Sequence, residues 1–371
     1  SESFQAAATI SWQLDIWQKI ANASHASALD AEASRFNLEA TAHTIAASVA
    51  DTWFALVAER ETLRLLSDQA AVSRNYLDLV EFRFSNGLAS ALEVYQQRSA
   101  VAAVEALVPE SVATVKVLEN TLNLLMGREP GTPIPEVLTL PNLPERPSTG
   151  IPSEALRSRP DVRAAELKLI AADHRLASAM ADRLPSLSIS ATAGYQAAEF
   201  RDLLDNWFYT LAGNLLAPVF DAGRLKAEAD RNRAVVEERF LNWEAALLTA
   251  WNEVENELAR ETGFALSLDH LDGQVELATI TLARSRDQYV NGLVDYLNVL
   301  SSLQNMQQLE RQQIRIQQSL LGSRIDLHLA LGGDWSRSLE RHVKNESLET
   351  EEINDSTESD VKMESVETEA K

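Results

Sequence analysis

The chain has many side chains able to do chemistry, but their spacing is wrong for catalysis. His25, His43, His174, His270, His328 and His342 never fall three or four residues apart, the spacing that lets two imidazoles on one helix grip a metal, and no HExxH occurs. There is no cysteine, so thiolate metal sites and disulfides are both ruled out. No GxSxG elbow, Walker loop or GxGxxG turn is present, and LDHLDG at 268–273 lacks the ligand spacing of a calcium loop. Carboxylates are plentiful, but on charged helices they read as solvated faces. The expectation is no enzyme, no cofactor and no bound metal.

The residues whose pattern points to a task are suited to recognition. Residues 83–95 read RFSNGLASALEVY and residues 288–300 read QYVNGLVDYLNVL. Asn86, Gly87 and Leu88 align with Asn291, Gly292 and Leu293, and Leu92 and Val94 with Leu297 and Val299, all 205 positions apart. A glycine turn lets a partner backbone come close, and the adjoining leucine offers apolar contact. As isolated motifs these are helix stops; their duplication raises the docking reading. Ser90 follows the first tip, and Asp295 lies less than a turn past the second. Asp295 is read either as a cation-attracting gate or as a solvated carboxylate.

These tips belong to a tandem duplication. Gly127 and Gly332 share the 205 offset, and Asp15 in WQLDIW corresponds to Asp221 in PVFDAG at 206. Between Asp221 and Tyr289 there is no proline and there are only three glycines, Gly223, Gly263 and Gly273. Val236, Phe240, Trp243, Leu247, Trp251, Val254 and Leu258 recur at steps of three and four, as one stripe of a helix does. Copy one repeats the pattern with Ile45, Val49, Trp53, Leu56 and Leu63. A helix of about seventy residues would run to about 100 Å, which implies coiled-coil packing. Copy one, 1–127, thus comprises a strand 4–14, a long helix 15–85 and a return helix 88–126. Copy two, 153–335, comprises a helix 158–182, strands 186–196 and 207–217, a long helix 221–289 and a return helix 293–331. Ser158 is expected to cap the 158–182 helix, with Pro160 in its first turn and Asp161 at its positive end.

A proline-rich linker, 128–152, joins the copies. Residues 336–371 form an acidic tail, predicted to be disordered; Lys344–Lys371 holds ten acidic and three basic residues, leaving -15 of the formal -22 on the body. That charge argues against nucleic acid and disfavours docking on anionic lipid headgroups. No run is apolar enough for a membrane helix, but barrel strands need only roughly 9–11 alternating residues. The chain opens at Ser1 with no secretory signal, which is read as a processed product or a missing N-terminal part.

Three segments alternate with period two. Phe4, Ala6, Ala8, Ile10, Trp12 and Leu14 share one face; so do Leu187, Ile189, Ala191, Ala193 and Tyr195, and Trp207, Tyr209, Leu211, Gly213 and Leu215. Taken singly, each is an ordinary half-buried strand. Set between very long helices with no other sheet to pack on, they need closure, and several chains must share one barrel. Trp12, Tyr195, Trp207 and Tyr209 then read as aromatics at the membrane interface.

With these residues in view, the chain resembles the TolC-like outer-membrane efflux family. Its nearest branch is that of the NodT-like outer-membrane lipoproteins paired with proton-driven RND pumps. LRSRPDVRAAELKLIAADHRLASAMADRLPSLSISATAGY (156–195), APVFDAGRLKAEA (217–229) and the two NGL turns carry the likeness, which covers about residues 4–335. The resemblance implies a mainly α fold with a small β part. In it, long antiparallel hairpins build a trimeric α-barrel beneath a shared transmembrane β-barrel of four strands per protomer. It implies an outer-membrane, periplasm-reaching homotrimer that is a passive exit duct for drugs, metals or other small solutes. Its partners would be a periplasmic adaptor, an inner-membrane RND-type transporter and outer-membrane lipid, with no nucleic acid. The adaptor docks at the tips, around Gly87 and Gly292, where the closed channel narrows, and 128–152 is the equatorial linker.

Arg159 and Glu166 are hallmark positions of the family with an expected structural role. The sequence departs from the family pattern before Phe4, where a helix, a strand, a signal peptide and a lipid-bearing cysteine are expected and only three strands per protomer remain. Many relatives place acidic residues six and nine positions past the second tip glycine as a gate ring; here those positions are Asn298 and Ser301, with only Asp295 nearby. Pro109 is expected to interrupt the return helix of copy one. Two other readings stand beside the duct: a soluble coiled-coil scaffold or adaptor without a barrel, and an inactive truncated remnant of the channel.

Overall fold

The computed structural model describes residues 3–143 and 153–333. The acidic tail and the end of the linker lie outside the described residues. In chain order the elements are β1 (Phe4–Leu14), α1 (Lys19–Ser85), α2 (Ala91–Leu125), α3 (Ser153–Ser158), α4 (Pro160–Ala181), β2 (Ser186–Ala197), a 3-10 turn (Phe200–Asp202), β3 (Trp207–Leu216), α5 (Arg224–Val290) and α6 (Tyr296–Ala330). The duplication is plain in the lengths: α1 and α5 have 67 residues each, α2 and α6 have 35 each. The chain divides into two compact units, Ser1–Ala40 with Leu156–Ala250 and Thr41–Ala155 with Trp251–Lys371.

The first unit holds the sheet. Its strands run antiparallel in the order β1-β2-β3, open at both edges. The same unit packs α4 on the start of α1 through small residues, with Ala26, Ala33, Ala164, Ala171 and Ala172 all nearly inaccessible and Leu29, Phe36 and Leu167 filling the space around them. Alanines allow the two backbones to approach closely without side-chain entropy cost.

In the second unit α6 supplies a coiled-coil seam. Tyr296, Leu300, Leu303, Gln307, Glu310, Ile314, Gln317, Leu321 and Arg324 recur at alternating steps of four and three, and each is buried or partly buried. Gln307, Glu310 and Arg324 are matched. Gln307 donates to Gln69 O at 3.3 Å and Ser73 Oγ at 3.1 Å, while Gln69 donates to Gln307 O at 3.0 Å and Glu310 Oε2 at 2.7 Å. Arg324 forks onto Glu261 at 2.8 and 2.9 Å with both side chains at least 95% buried. Such pairs fix register more than they add stability. The linker is strapped onto α1: Arg60 donates to Pro135 O, Leu140 N to Glu61 Oε2, and Leu140 and Leu143 pack on Val57 and Trp53.

Several boundaries need correction. The return helices begin at Ala91 and Tyr296, not at 88 and 293, because each tip closes as a six-residue cap. Leu88 N donates to Arg83 O and Gly87 N to Phe84 O; Leu293 N donates to Gln288 O and Gly292 N to Tyr289 O. The leucines therefore stand outside both helices, and Ser90 and Asp295 must be extended before the next helix starts. The long helices begin at Lys19 and Arg224, not at 15 and 221, because Asp15 and Asp221 are the capping acids. Asp15 accepts from Ile20 N and Ala21 N, Asp221 from Gly223 N and Leu225 N. Ser158 does not hold the cap position of α4; Arg159 does, with Pro160 following it and Asp161 accepting from Arg159 and Val162 N. Pro109 does not interrupt α2, which runs unbroken from Ala91 to Leu125. The proline is exposed, so water can take up the carbonyl it leaves without a donor.

Candidate functional site

Two places in the chain carry unusual surfaces, and each arises from the local sequence. The first is the sheet. Its register pairs Trp12 with Ile189 and Ile189 with Gly213, Ala6 with Tyr195 and Tyr195 with Trp207, Ala193 with Tyr209. Directly paired residues point to the same side, so the three apolar sets fall on one face. The opposite face carries Gln5, Thr9, Ser11 and Gln13, then Ser188, Ser190, Thr192 and Gln196, with Thr9 and Thr192 hydrogen-bonded at 3.0 Å. No described element covers either face: Ile10, Trp12, Trp207, Tyr209 and Leu211 all remain exposed. Gly194 is required where β1 passes, because a Cβ there would collide with the backbone of Ala6 and Ala7.

The expected interface aromatics sort by end. Tyr195, Trp207 and Tyr209 sit near the β2–β3 loop, with Trp207 stacked on Tyr209 at 5.8 Å; Trp12 sits at the helix end of β1. The expected aromatic set left out Phe4, placed only on the apolar face of its strand, and Phe200, which meet edge to face at 5.8 Å beside that loop, and Trp17, whose indole donates to Pro185 O at 2.8 Å. The alternation of β1 does announce Phe4. Nothing in the sequence announces the partner of Trp17, 168 positions away.

The second place is the pair of tips. Gly87 and Gly292 have φ of 73° and 72°, the left-handed region where glycine is strain-free, and a Cβ at either would meet open space. Asn86 and Asn291 each return their amide to the preceding turn, on Phe82 O and Asp287 O, and Leu88 and Leu293 are 64% and 73% exposed. Ser90 and Glu93 form a reciprocal capping box at the start of α2. The equivalent positions of α6 are Asp295 and Asn298. Asp295 is N-cap without a side-chain capping bond, Asn298 donates to Asp295 O and Ser301 to Asn298 O, and all three are exposed.

The bonds that join the hairpins come from residues the sequence did not single out. Tyr289 donates to Glu93 Oε2 at 2.7 Å, Tyr296 donates to Gln97 Oε1 at 2.7 Å, and Gln97 donates onward to Ser73 O at 2.7 Å. Arg83 lies 4.5 Å over the Tyr289 ring and donates to Val290 O at 3.2 Å. Beneath this network Val80, Val94, Leu282, Val299, Leu300 and Leu303 form one core. Burial pushes the Glu93 carboxyl up, but the hydrogen bonds from Tyr289 and Ser90, with the Arg83 charge, outweigh it and hold it below the usual carboxylate range. Burial and the Glu93 carboxylate push the Tyr289 phenol up to about 12. The one acidic residue six positions after a tip glycine is Glu93, in copy one, where alignment with copy two would have found it.

The sequence matches the outer membrane efflux protein family over residues 1–128 and 151–333. The chain belongs to that family. It is 33% identical over 346 residues to the pyoverdine export outer membrane protein OpmQ of Pseudomonas putida, covering 90% of this chain and 72% of that protein. To the toluene efflux pump outer membrane protein TtgF of Pseudomonas putida it is 28% identical, covering 88% and 68%. Among solved structures CusC superposes with a TM-score of 0.84 at 23% identity, over 89% of this chain and 78% of that one, a likeness of fold. The chain is thus an outer-membrane efflux protein, and these relatives are efflux proteins rather than enzymes.

Proposed function

We propose that three copies of this chain close their sheets into one lipid-embedded barrel, with the helices forming a hollow tube that reaches into the periplasm. The observation that carries this reading is the uncovered sheet: open at both edges, apolar on one face and polar on the other. An open sheet of that kind is stable in lipid only when its edges are paired, and identical neighbours supply the missing edge. The tube is a passive duct. Cargo is pushed in by an inner-membrane RND-type transporter through a periplasmic adaptor, which docks on the exposed Asn86-Gly87-Leu88 and Asn291-Gly292-Leu293 tips, with Ser90 beside the first. Pyoverdine and toluene, named for two relatives, are both small organic molecules, and that is the cargo class assigned here.

The bonds Tyr289–Glu93 and Tyr296–Gln97 support a closed tip: they tie α5 and α6 of copy two to α2 of copy one, and opening breaks them. Asp295, Asn298 and Ser301 line the exposed side of the same turn and complete the gate. The test replaces Gly87 and Gly292 by aspartate in the full-length protein. Efflux should be lost, and oligomer size in detergent unchanged. Normal efflux in the double variant would refute docking at the tips.

A further inference from the structure

We propose that Asp51, Glu257 and Asp326, contributed by α1, α5 and α6, form a proton-binding cluster that tightens the packing of these three helices as pH falls. This deepens the tube proposed above and rests on it only for the consequence, a wall that stiffens in acid. The residues concerned all lie in the second compact unit. Steps of four along α5 place Glu253, Glu257 and Glu261 on one face. Glu261 is 1% exposed and is engaged by the fork from Arg324 at 2.8 and 2.9 Å. Two positions past Arg324, α6 carries Asp326. Gly322, one turn before Asp326, faces α1: a Cβ there would stand 3.2 Å from Asp51 Oδ1.

Glu257 is the decisive member. It is 7% exposed, and its Oε1 accepts from Arg260 at 2.6 Å. Its Oε2 is cut off from solvent and has no hydrogen-bond partner among the described residues. An ionised oxygen held that way is costly, whereas a protonated one is a donor without charge. Asp51 and Asp326 are open to water, which gives the proton its path. The charges that face the cluster do not balance it. From α6 come Arg324, already held by Glu261, and His328; from α5 come Glu253 and Arg260. Arg260 is the cation that acts on both Glu257 and Asp326, while Asp326 and Glu253 repel Glu257 and Asp51 repels Asp326. The three carboxylates are too widely spaced to grip one metal ion, so the ligand that fits is a proton.

Burial pushes the Glu257 carboxyl above the ordinary carboxylate range; Arg260 pulls it back by less than burial, Asp326 and Glu253 together raise it. Loss of water on the helix side raises Asp326, with Asp51 adding to it, and raises Asp51 as well. The packed helices therefore hold protons that loosened helices release. Their gain is complete below the ordinary carboxylate range and is lost as pH rises through the raised values. His328 has the opposite sign. Burial and Arg324 hold it below its ordinary value, so its contribution fades as pH falls.

The experiment is hydrogen exchange on the full-length chain in detergent, in a His328→Gln background, corrected for the intrinsic pH dependence of exchange. Amides of 251–263 and 318–330 are read separately from those of the tips. Their protection should rise as pH falls from about 8 to about 5, by at most about tenfold per pH for each proton taken up. Glu257→Gln, neutral at every pH, should keep the acid level of protection throughout and flatten the profile, and Asp326→Asn should flatten it in part. Arg260→Gln should move the fall in protection to higher pH. A slope that survives in Glu257→Gln, protection lowered equally at every pH, or no displacement in Arg260→Gln overturns the cluster. A single copy that stays in solution without detergent overturns the duct and leaves the cluster standing.

Discussion

The sheet and the hairpin tips are built by opposite means. At the tips every large apolar side chain of the core is covered by the chain itself, and the buried polar groups that join the hairpins, Gln97, Tyr289 and Tyr296, have partners inside the molecule. In the sheet the reverse holds: Trp207, Tyr209, Leu211 and Leu215 are all more than two-thirds exposed, and two strand edges are unpaired. One region carries its stabilising contacts within a single copy. The other leaves its apolar face and both edges uncovered within one copy, and in the proposed barrel lipid and neighbouring copies cover them.

The largest expected effect lies on the apolar face of the sheet. Leu211→Arg should cost about 2–4 kcal/mol per copy in a bilayer, whereas Thr210→Arg on the polar face should cost little. Urea titration of the reconstituted protein distinguishes them, and equal costs would break the contrast between the faces. At the tips, Tyr296→Phe leaves Gln97 Oε1 without its donor and should cost about 1–3 kcal/mol, read as a lowered melting temperature. Ser90→Ala removes one half of the capping box and should cost about 1 kcal/mol, while Asp295→Ala, which removes no side-chain capping bond, should cost less.

A pH dependence sharpens the same comparison. Because the Glu93 carboxyl is held below its usual value in the tip, which we propose is the closed form, its contribution is complete above the ordinary carboxylate range. It is lost as pH falls through the depressed value. At the alkaline end the Tyr289 phenol, raised to about 12, holds its proton in the closed tip, so closure weakens as pH rises above about 10. Conductance in planar bilayers should therefore rise at the acid end, and Glu93→Gln should flatten that limb. An acid limb that survives in the glutamine variant would remove Glu93 from the closure.

Much of this was legible because it depends on periodicity. The 205-residue offset set the two hairpins, and the alternation of β1, β2 and β3 fixed which residues share a face before any register was known. Helix starts were legible only to within three or four residues. A glycine turn marks where a helix stops, but the extended residues after it are set by which amides the preceding carbonyls accept, as at Leu88 and Leu293. The tie between Tyr289 and Glu93 spans 196 positions and joins different copies of the repeat, so no local pattern encodes it. Arg159 took the cap position expected of Ser158 because the chain before Pro160 is itself helical, a competition between neighbouring segments that propensity does not resolve.

The most direct measurement is the mass of the intact, full-length product extracted from membranes and kept in mild detergent. Three copies in one particle, recovered only with detergent, is the predicted result. A single copy that stays in solution without detergent would contradict a barrel shared between chains, and with it the duct.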